Sequence, residues 1–247
     1  MTNFFETPHG NTIAYNQFIG KKIGIVFLSG YKSDMQGKKA LYIENWAKKN
    51  DHSFLRFDYS GHGKSSGQID KMCFSDWYKD SEILIKKITR GKQIIVGSSM
   101  GGWIMLRLAK LLPKKIFGMI GLAPAPDFPK VLIWDKMNKF QKRSLIKNKN
   151  ISINSDLSEN NFSYEFIKDS FKNLVLSENL NFKGPVYLYH GMADGDVPYN
   201  LSIEICKIIS GTQNVNLLLD KKAGHRLSED SQLNTIINII EKVSDQT

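Results

Sequence analysis

The chain has 247 residues, of which 41% are hydrophobic and 23% charged, a balance expected of a soluble globular protein. Its length suits one domain with an insertion. The formal net charge of +10 comes mainly from lysines scattered in pairs, such as Lys21-Lys22, Lys38-Lys39 and Lys48-Lys49. That scatter reads as a solvated basic surface, without the concentrated arginine or the recognised module of a nucleic-acid-binding domain. No run nears the roughly 18 apolar residues of a membrane span, so no stable membrane insertion is expected. "MTNFFETPHG" carries neither a signal nor a transit pattern. The two cysteines, Cys73 and Cys206, supply no disulfide framework and no metal-ligand spacing. A cytoplasmic protein with no metal and no other cofactor is expected.

In chain order, "NFFET" and "TIAYNQFI" read as two strands joined by the turn "PHGN". "IGIVFL" is a continuous apolar run, as in a strand covered on both faces. Leu41, Trp46 and Ala47, with Ile43 or Tyr42, recur at helical spacing between about Gly37 and Asn50. "SFLRF" reads as a strand, and "SDWYKDSEILIKKI" as a helix capped by Ser75 or Asp76. "QIIV" is a strand running into two serines, "MGGWIMLRLAKLL" a helix ended by Pro113, and "IFGMIGL" another buried strand. The rhythm resumes with "PVYLYH", a helix from about Asn200 to Ile209, the strand "NVNLLL" and a helix after Ser228.

Between these halves, residues 125–183 are rich in lysine and asparagine and lack a buried-strand run. A 60-residue break is far longer than ordinary connections of about 4–6 residues. It is expected to be a helical lid insertion in a core formed by residues 1–124 and 184–247. The alternation implies an α/β fold with a mostly parallel sheet, helices on both faces and an N-terminal antiparallel hairpin. In such sheets ligands meet the loops at the strands' C-terminal ends.

"VGSSMGG" stands at such a place, between a buried strand and a helix. A sharp strand-to-helix turn needs small residues two positions either side of its strained centre. Centred on Ser99 the flanks are Gly97 and Gly101; centred on Ser98 they are Val96 and Met100. Ser99 is therefore the candidate nucleophile, and the absence of a following Lys-Ser/Thr excludes a P-loop. A serine needs a base oriented by an acid, and on this type of sheet they follow in the order serine, acid, histidine. His9, His52 and His62 come too early. His190 precedes any acid on the following loop and reads as a buried histidine bonded to backbone. His225, in "DKKAGHRLSED", is left as the base. For the acid, "HGMADGDVPYN" offers Asp194 and Asp196, which order and loop position do not separate. One oxyanion donor should be the backbone N–H of Met100, directly after the nucleophile.

The set "LSGYKSDM", "FDYSGHGKSSG", "GSSMGGW", "HGMADGDVP" and "AGHR" resembles the α/β-hydrolase superfamily. More narrowly it resembles the family of palmitoyl-protein thioesterase and mycophenolic acid acyl-glucuronide esterase. The resemblance implies a serine hydrolase working through an acyl-Ser99 intermediate, with Asp194, first residue of D-x-x-V-P, as the acid. It also implies the N–H of Tyr31 as the second oxyanion donor. The family's animal members act in mitochondria, whereas here the N-terminus begins almost directly with a strand.

An acylated protein or a small ester would be the substrate. For an acyl chain the insertion offers Phe128, Val131, Ile133, Trp134, Met137, Phe140, Phe162 and Phe166, with Trp134, Met137 and Phe140 as the named substrate-binding candidates. For a sugar carboxylate it offers Lys136, Lys139, Lys142 and Arg143. The competing readings are a hydrolase-fold binding protein without turnover and a basic nucleic-acid-binding domain.

Overall fold

A computed structural model describes residues 1–154 and 159–247. The apolar runs form one eight-stranded sheet. Its strands are β1 (Asn3–Glu6), β2 (Thr12–Phe18), β3 (Lys22–Leu28), β4 (His52–Phe57), β5 (Gln93–Ser98), β6 (Ile116–Leu122), β7 (Val186–Gly191) and β8 (Val215–Asp220). Their order across the sheet is β1-β2-β4-β3-β5-β6-β7-β8. β2 runs antiparallel to both β1 and β4, and every later pairing is parallel. The central strands read as unbroken apolar runs because both faces are covered. Ile25, Val26 and Leu28 of β3 and Ile94, Ile95 and Val96 of β5 are wholly buried.

The core helices are α1 (Lys38–Lys49), α2 (Phe74–Ile88) and α3 (Met100–Leu111). α2 starts earlier than Ser75 or Asp76. Cys73 is its N-cap, and Asp76 reaches back from the first turn to accept the Cys73 N–H at 2.8 Å. α3 is apolar nearly all round: Trp103 stacks on Phe74 of α2 at 3.4 Å and donates its Nε1–H to the Asn173 carbonyl at 3.0 Å.

Residues 125–183 are only partly helical. After a π-helical turn (Pro129–Ile133) and a 3₁₀ turn (Trp134–Lys136) come α4 (Lys139–Asn148) and α5 (Tyr164–Ser170). Between those helices, Asn150–Asn154 and Glu159–Ser163 pair as an antiparallel hairpin. These strands escape a search for buried runs because only alternate residues are apolar: Ile151 and Ile153, with Phe162 opposite Ile151. Asp127 pins the segment's two ends together. It is 2% exposed, and its carboxylate accepts the N–H groups of Val175 and Leu176 at 2.9 Å each. After the insertion α6 (Asn200–Ile208) and α7 (Asp230–Ser244) complete the layers. Among the described residues, no helix is long and apolar enough to cross a membrane.

Candidate active site

β5 delivers Ser99 at its C-terminal end, at φ 53° and ψ −118°, a backbone state costly for a residue with a Cβ. The flanking glycines permit that turn for a steric reason. A Cβ on Gly97 would lie 2.4 Å from the Gly101 carbonyl oxygen, and one on Gly101 would lie 2.1 Å from that of Leu28. The α3 N-terminus thus presses on the end of β3 with backbone against backbone. Ser98, by contrast, is the last residue of β5 and pairs in register with Leu122.

The loops after β7 and β8 bring Asp194 and His225 to this turn. His225 Nε2 lies 3.0 Å from Ser99 Oγ, and its Nδ1 lies 2.7 Å from Asp194 Oδ2. The Asp194 side chain has no exposure and that of His225 has 13%. Burial opposes ionisation of Asp194, yet hydrogen bonds from His190, His225 and the Val197 amide hold its carboxyl well below the usual carboxylate range. Its other oxygen, Oδ1, accepts the N–H groups of Asp196 at 3.0 Å and Val197 at 2.8 Å. Asp196 itself is half-buried and brings a carboxylate oxygen within 4.8 Å of donor atoms on Asp194 and His225. Asp194 and His225 are already engaged with each other and, through the remaining His225 nitrogen, with Ser99.

Met100 begins α3, so its N–H has no acceptor within the helix. The Gly30-Tyr31 turn after β3 lies against Ser99, since a Cβ on Gly30 would come 3.3 Å from Ser99 Cβ. Residues after β4 hold this turn in place. His62 Nδ1 donates to the Ser60 carbonyl at 3.3 Å, and its Nε2 accepts the Lys32 N–H at 3.2 Å. Asp58 accepts the Met35 N–H at 2.6 Å, and Tyr59 donates to the Ser29 carbonyl at 3.0 Å. Sequence order excludes His62 as a base but says nothing of this support. The adjacency of β3 and β4 is the signal that links the two loops.

A cavity of about 690 Å³ opens over Ser99. Its apolar side is Phe128, Leu132, Ile133, Ile153 and Phe162, with the Tyr31 ring stacked on Phe162 at 5.4 Å. Trp134, Met137 and Phe140 do not line it. Phe140 is 79% exposed on α4, Met137 is buried in the core, and Trp134 packs edge-on against Phe171 at 5.7 Å. Of the other apolar residues offered by the insertion, Phe128, Ile133 and Phe162 do line it; composition alone could not separate the two groups, because the π and 3₁₀ turns decide which residues face inward. Of the insertion's named cations only Lys136 reaches the cavity, where it joins Lys32, Lys38, Lys39 and Arg226. Lys39 donates to the Arg226 carbonyl next to His225. Burial and the neighbouring Arg226 charge lower its pKa to about 8.

A serine at a strained strand-to-helix turn, linked through histidine to a buried carboxylate on this sheet, defines the α/β-hydrolase class. The model of the family described as "Serine aminopeptidase, S33" matches residues 21–169. Palmitoyl-protein thioesterase ABHD10, mitochondrial, of Rattus norvegicus is 34% identical over 99% of this chain and 82% of its own length. The Homo sapiens protein of that name is also 34% identical, over 99% and 80%. Among solved structures, alpha/beta hydrolase domain-containing protein 10 from mouse superposes with a TM-score of 0.94 at 30% identity, covering 100% of this chain and 99% of that one. A putative hydrolase from Agrobacterium vitis S4 gives 0.93 at 31%, covering 99% and 98%. The chain belongs to this α/β-hydrolase family and is a serine hydrolase.

Proposed function

We propose that the protein cleaves carboxylic esters or thioesters of acyl groups, with Ser99 as nucleophile, His225 as base and Asp194 as acid. The hydrogen-bond chain from Ser99 through His225 to Asp194 carries this reading. Ser99 Oγ attacks the acyl carbon while His225 Nε2 takes its proton, and Asp194 stabilises the imidazolium so formed. The oxyanion meets the N–H groups of Tyr31 and Met100. His225 then returns the proton to the departing alcohol or thiol, leaving acyl-Ser99. Water, deprotonated by the same histidine, releases the acid and restores the serine.

Residues 125–183 serve as the lid that selects the acyl group, since Phe128, Leu132, Ile133, Ile153 and Phe162 form the apolar wall beside Ser99. The relatives' name supports an S-acylated protein as the substrate. Lys39, Lys136 and Arg226 on the same cavity favour a second reading, an acyl ester whose leaving group is anionic, such as an acyl glucuronide. The free cysteines, Cys73 and Cys206, suit a reducing compartment such as the cytoplasm. Fluorophosphonate labelling tests the chemistry: the proposal requires labelling at Ser99, whereas a binding protein without turnover would stay unlabelled. Turnover of thioesters, simple esters and acyl glucuronides of matched chain length then ranks the substrates.

A further inference from the structure

His190, next to last in β7, is wholly buried and has no part in the three-residue chemistry above. Its Nε2 lies 3.1 Å from Asp194 Oδ2 and 3.0 Å from the Val197 carbonyl oxygen. Both are acceptors, so Nε2 carries a proton. Its Nδ1 lies 2.7 Å from the Ser202 hydroxyl on α6. In an imidazolium Nδ1 would also donate, and the Ser202 proton would then have no acceptor among the described residues. An unmade hydrogen bond is expensive at a site with no solvent exposure. The Ser202 hydroxyl therefore donates to Nδ1, and His190 is the neutral Nε2–H tautomer.

Asp194 is left with four donors. His225 and His190 reach Oδ2, and the amides of Asp196 and Val197 reach Oδ1. Four donors fill the lone-pair sites of a carboxylate, so Asp194 is fixed in both orientation and charge. The neutrality of His190 matters here. A cationic His190 would cancel the Asp194 charge before His225 acquired its own proton, whereas a neutral donor leaves that charge for the imidazolium of the reaction.

We infer that His190 is a positioning residue for Asp194, with the Ser202 hydroxyl keeping it neutral. The inference rests on Asp194 being the acid of the proposed triad. The titratable groups facing His190 are few. Its own loop contributes Asp194, which in turn bonds His225 of the loop after β8 and the backbone of Asp196, and α6 meets it with the non-titrating Ser202 hydroxyl. The carboxylate of Asp220, at the end of β8, is occupied by Tyr189 and by the amides of Lys222 and Ala223. Arg226 and Lys39 belong to the mouth of the cavity.

The test is the pH profile of p-nitrophenyl acetate hydrolysis, normalised to sites titrated with fluorophosphonate. His190→Leu removes one hydrogen bond to a charged group, so kcat should fall about tenfold to a hundredfold. The carboxylate, left with three donors instead of four, holds the His225 proton more tightly, so the acid limb of kcat/KM should move to higher pH. His190→Gln, which can place an N–H near the former Nε2, should recover most of both changes. Ser202→Ala opens Nδ1 to a proton while barely altering volume, so its loss of kcat should grow as the pH falls from about 8 to about 6. An unchanged acid limb and kcat in His190→Leu, Gln no better than Leu, or a pH-independent Ser202→Ala would each overturn the assignment. Asp194→Asn, run alongside, separates the two layers. If it retains wild-type turnover, the triad reading falls. If it is inactive while His190→Leu is unaltered, only the role of His190 falls.

Discussion

Replacing Asp194 and Asp196 separately by asparagine is the sharpest test of the site, because the two carboxylates share one loop and both approach His225. In Asp194→Asn the amide oxygen can still accept the N–H groups of Asp196 and Val197, which bind Oδ1 at 3.0 and 2.8 Å. The amide nitrogen must then face His225 Nδ1, where a carboxylate oxygen now lies at 2.7 Å. His225 answers by moving its proton to Nε2, which points at Ser99 Oγ and can no longer accept from it. Loss of the correct tautomer and of the counter-charge should lower kcat about 10⁴-fold, equivalent to roughly 5–6 kcal/mol of transition-state stabilisation. In Asp196→Asn the bond that matters survives, since Asp196 gives Asp194 its backbone N–H. What goes is a half-buried charge within 4.8 Å of the pair, which solvent screens, and kcat should stay within about tenfold of wild type. Both variants are assayed on the same short p-nitrophenyl ester, with the fluorophosphonate labelling rate of Ser99 as a second measure. Asp194 is not the acid if Asp194→Asn keeps a tenth of the activity, or if Asp196→Asn is the more damaging change.

Ser99→Ala should abolish both turnover and fluorophosphonate labelling with an unchanged melting curve, whereas Ser98→Ala should keep activity within about tenfold; the opposite ranking would place the nucleophile at the end of β5. Phe128→Ala and Phe162→Ala should each alter the preference among acyl chain lengths, because both line the cavity, whereas Phe140→Ala, exposed on α4, should leave that preference unchanged. Asp127 has its pKa raised to about 6, because burial outweighs the amides it accepts. The fold therefore favours its neutral form, and the stability this adds is complete below about pH 4 and lost as the pH rises through 6. Asp127→Asn cannot titrate, so the wild type's advantage over it in urea melts should shrink by on the order of 2–3 kcal/mol between pH 4 and 7; an unchanged or widening gap would contradict the assignment.

What could be read along the chain and what could not divide by the distance over which each signal acts. The buried strands were legible because covering both faces demands unbroken apolar runs, as in "IGIVFL" and "IFGMIGL". Ser99 was legible because its steric requirement is local: Gly97 and Gly101 stand two residues away, and each would drive a Cβ into a backbone carbonyl. The choice of acid rested on resemblance, since Asp194 and Asp196 are equally good turn formers. Only the fold makes them unequal, by folding the Asp196 and Val197 amides back onto Asp194. The insertion misled for another reason. Apolar composition alone offers eight residues there, of which Phe128, Ile133 and Phe162 line the cavity and Trp134, Met137 and Phe140 do not, because the π and 3₁₀ turns and the hairpin decide which face inward and add Leu132 and Ile153.

The supports of the site were hidden most thoroughly. Lys32 meets His62 thirty residues on, His225 meets Asp194 across thirty-one, and His190 meets a serine that only α6 brings back to it. None leaves a periodicity or a composition bias. These long-range bonds share one physical feature: each fixes a loop that carries a reacting or stabilising group, at the end of a strand already held by the sheet. The strands place the chemistry to within a loop's length. The buried polar contacts of His62, Asp58 and His190 narrow that to a hydrogen bond's length, the tolerance at which a serine proton can pass to an imidazole. They cost little where every partner is satisfied and much where one is lost. Polar substitutions beneath this site should therefore impair turnover before they unfold the protein.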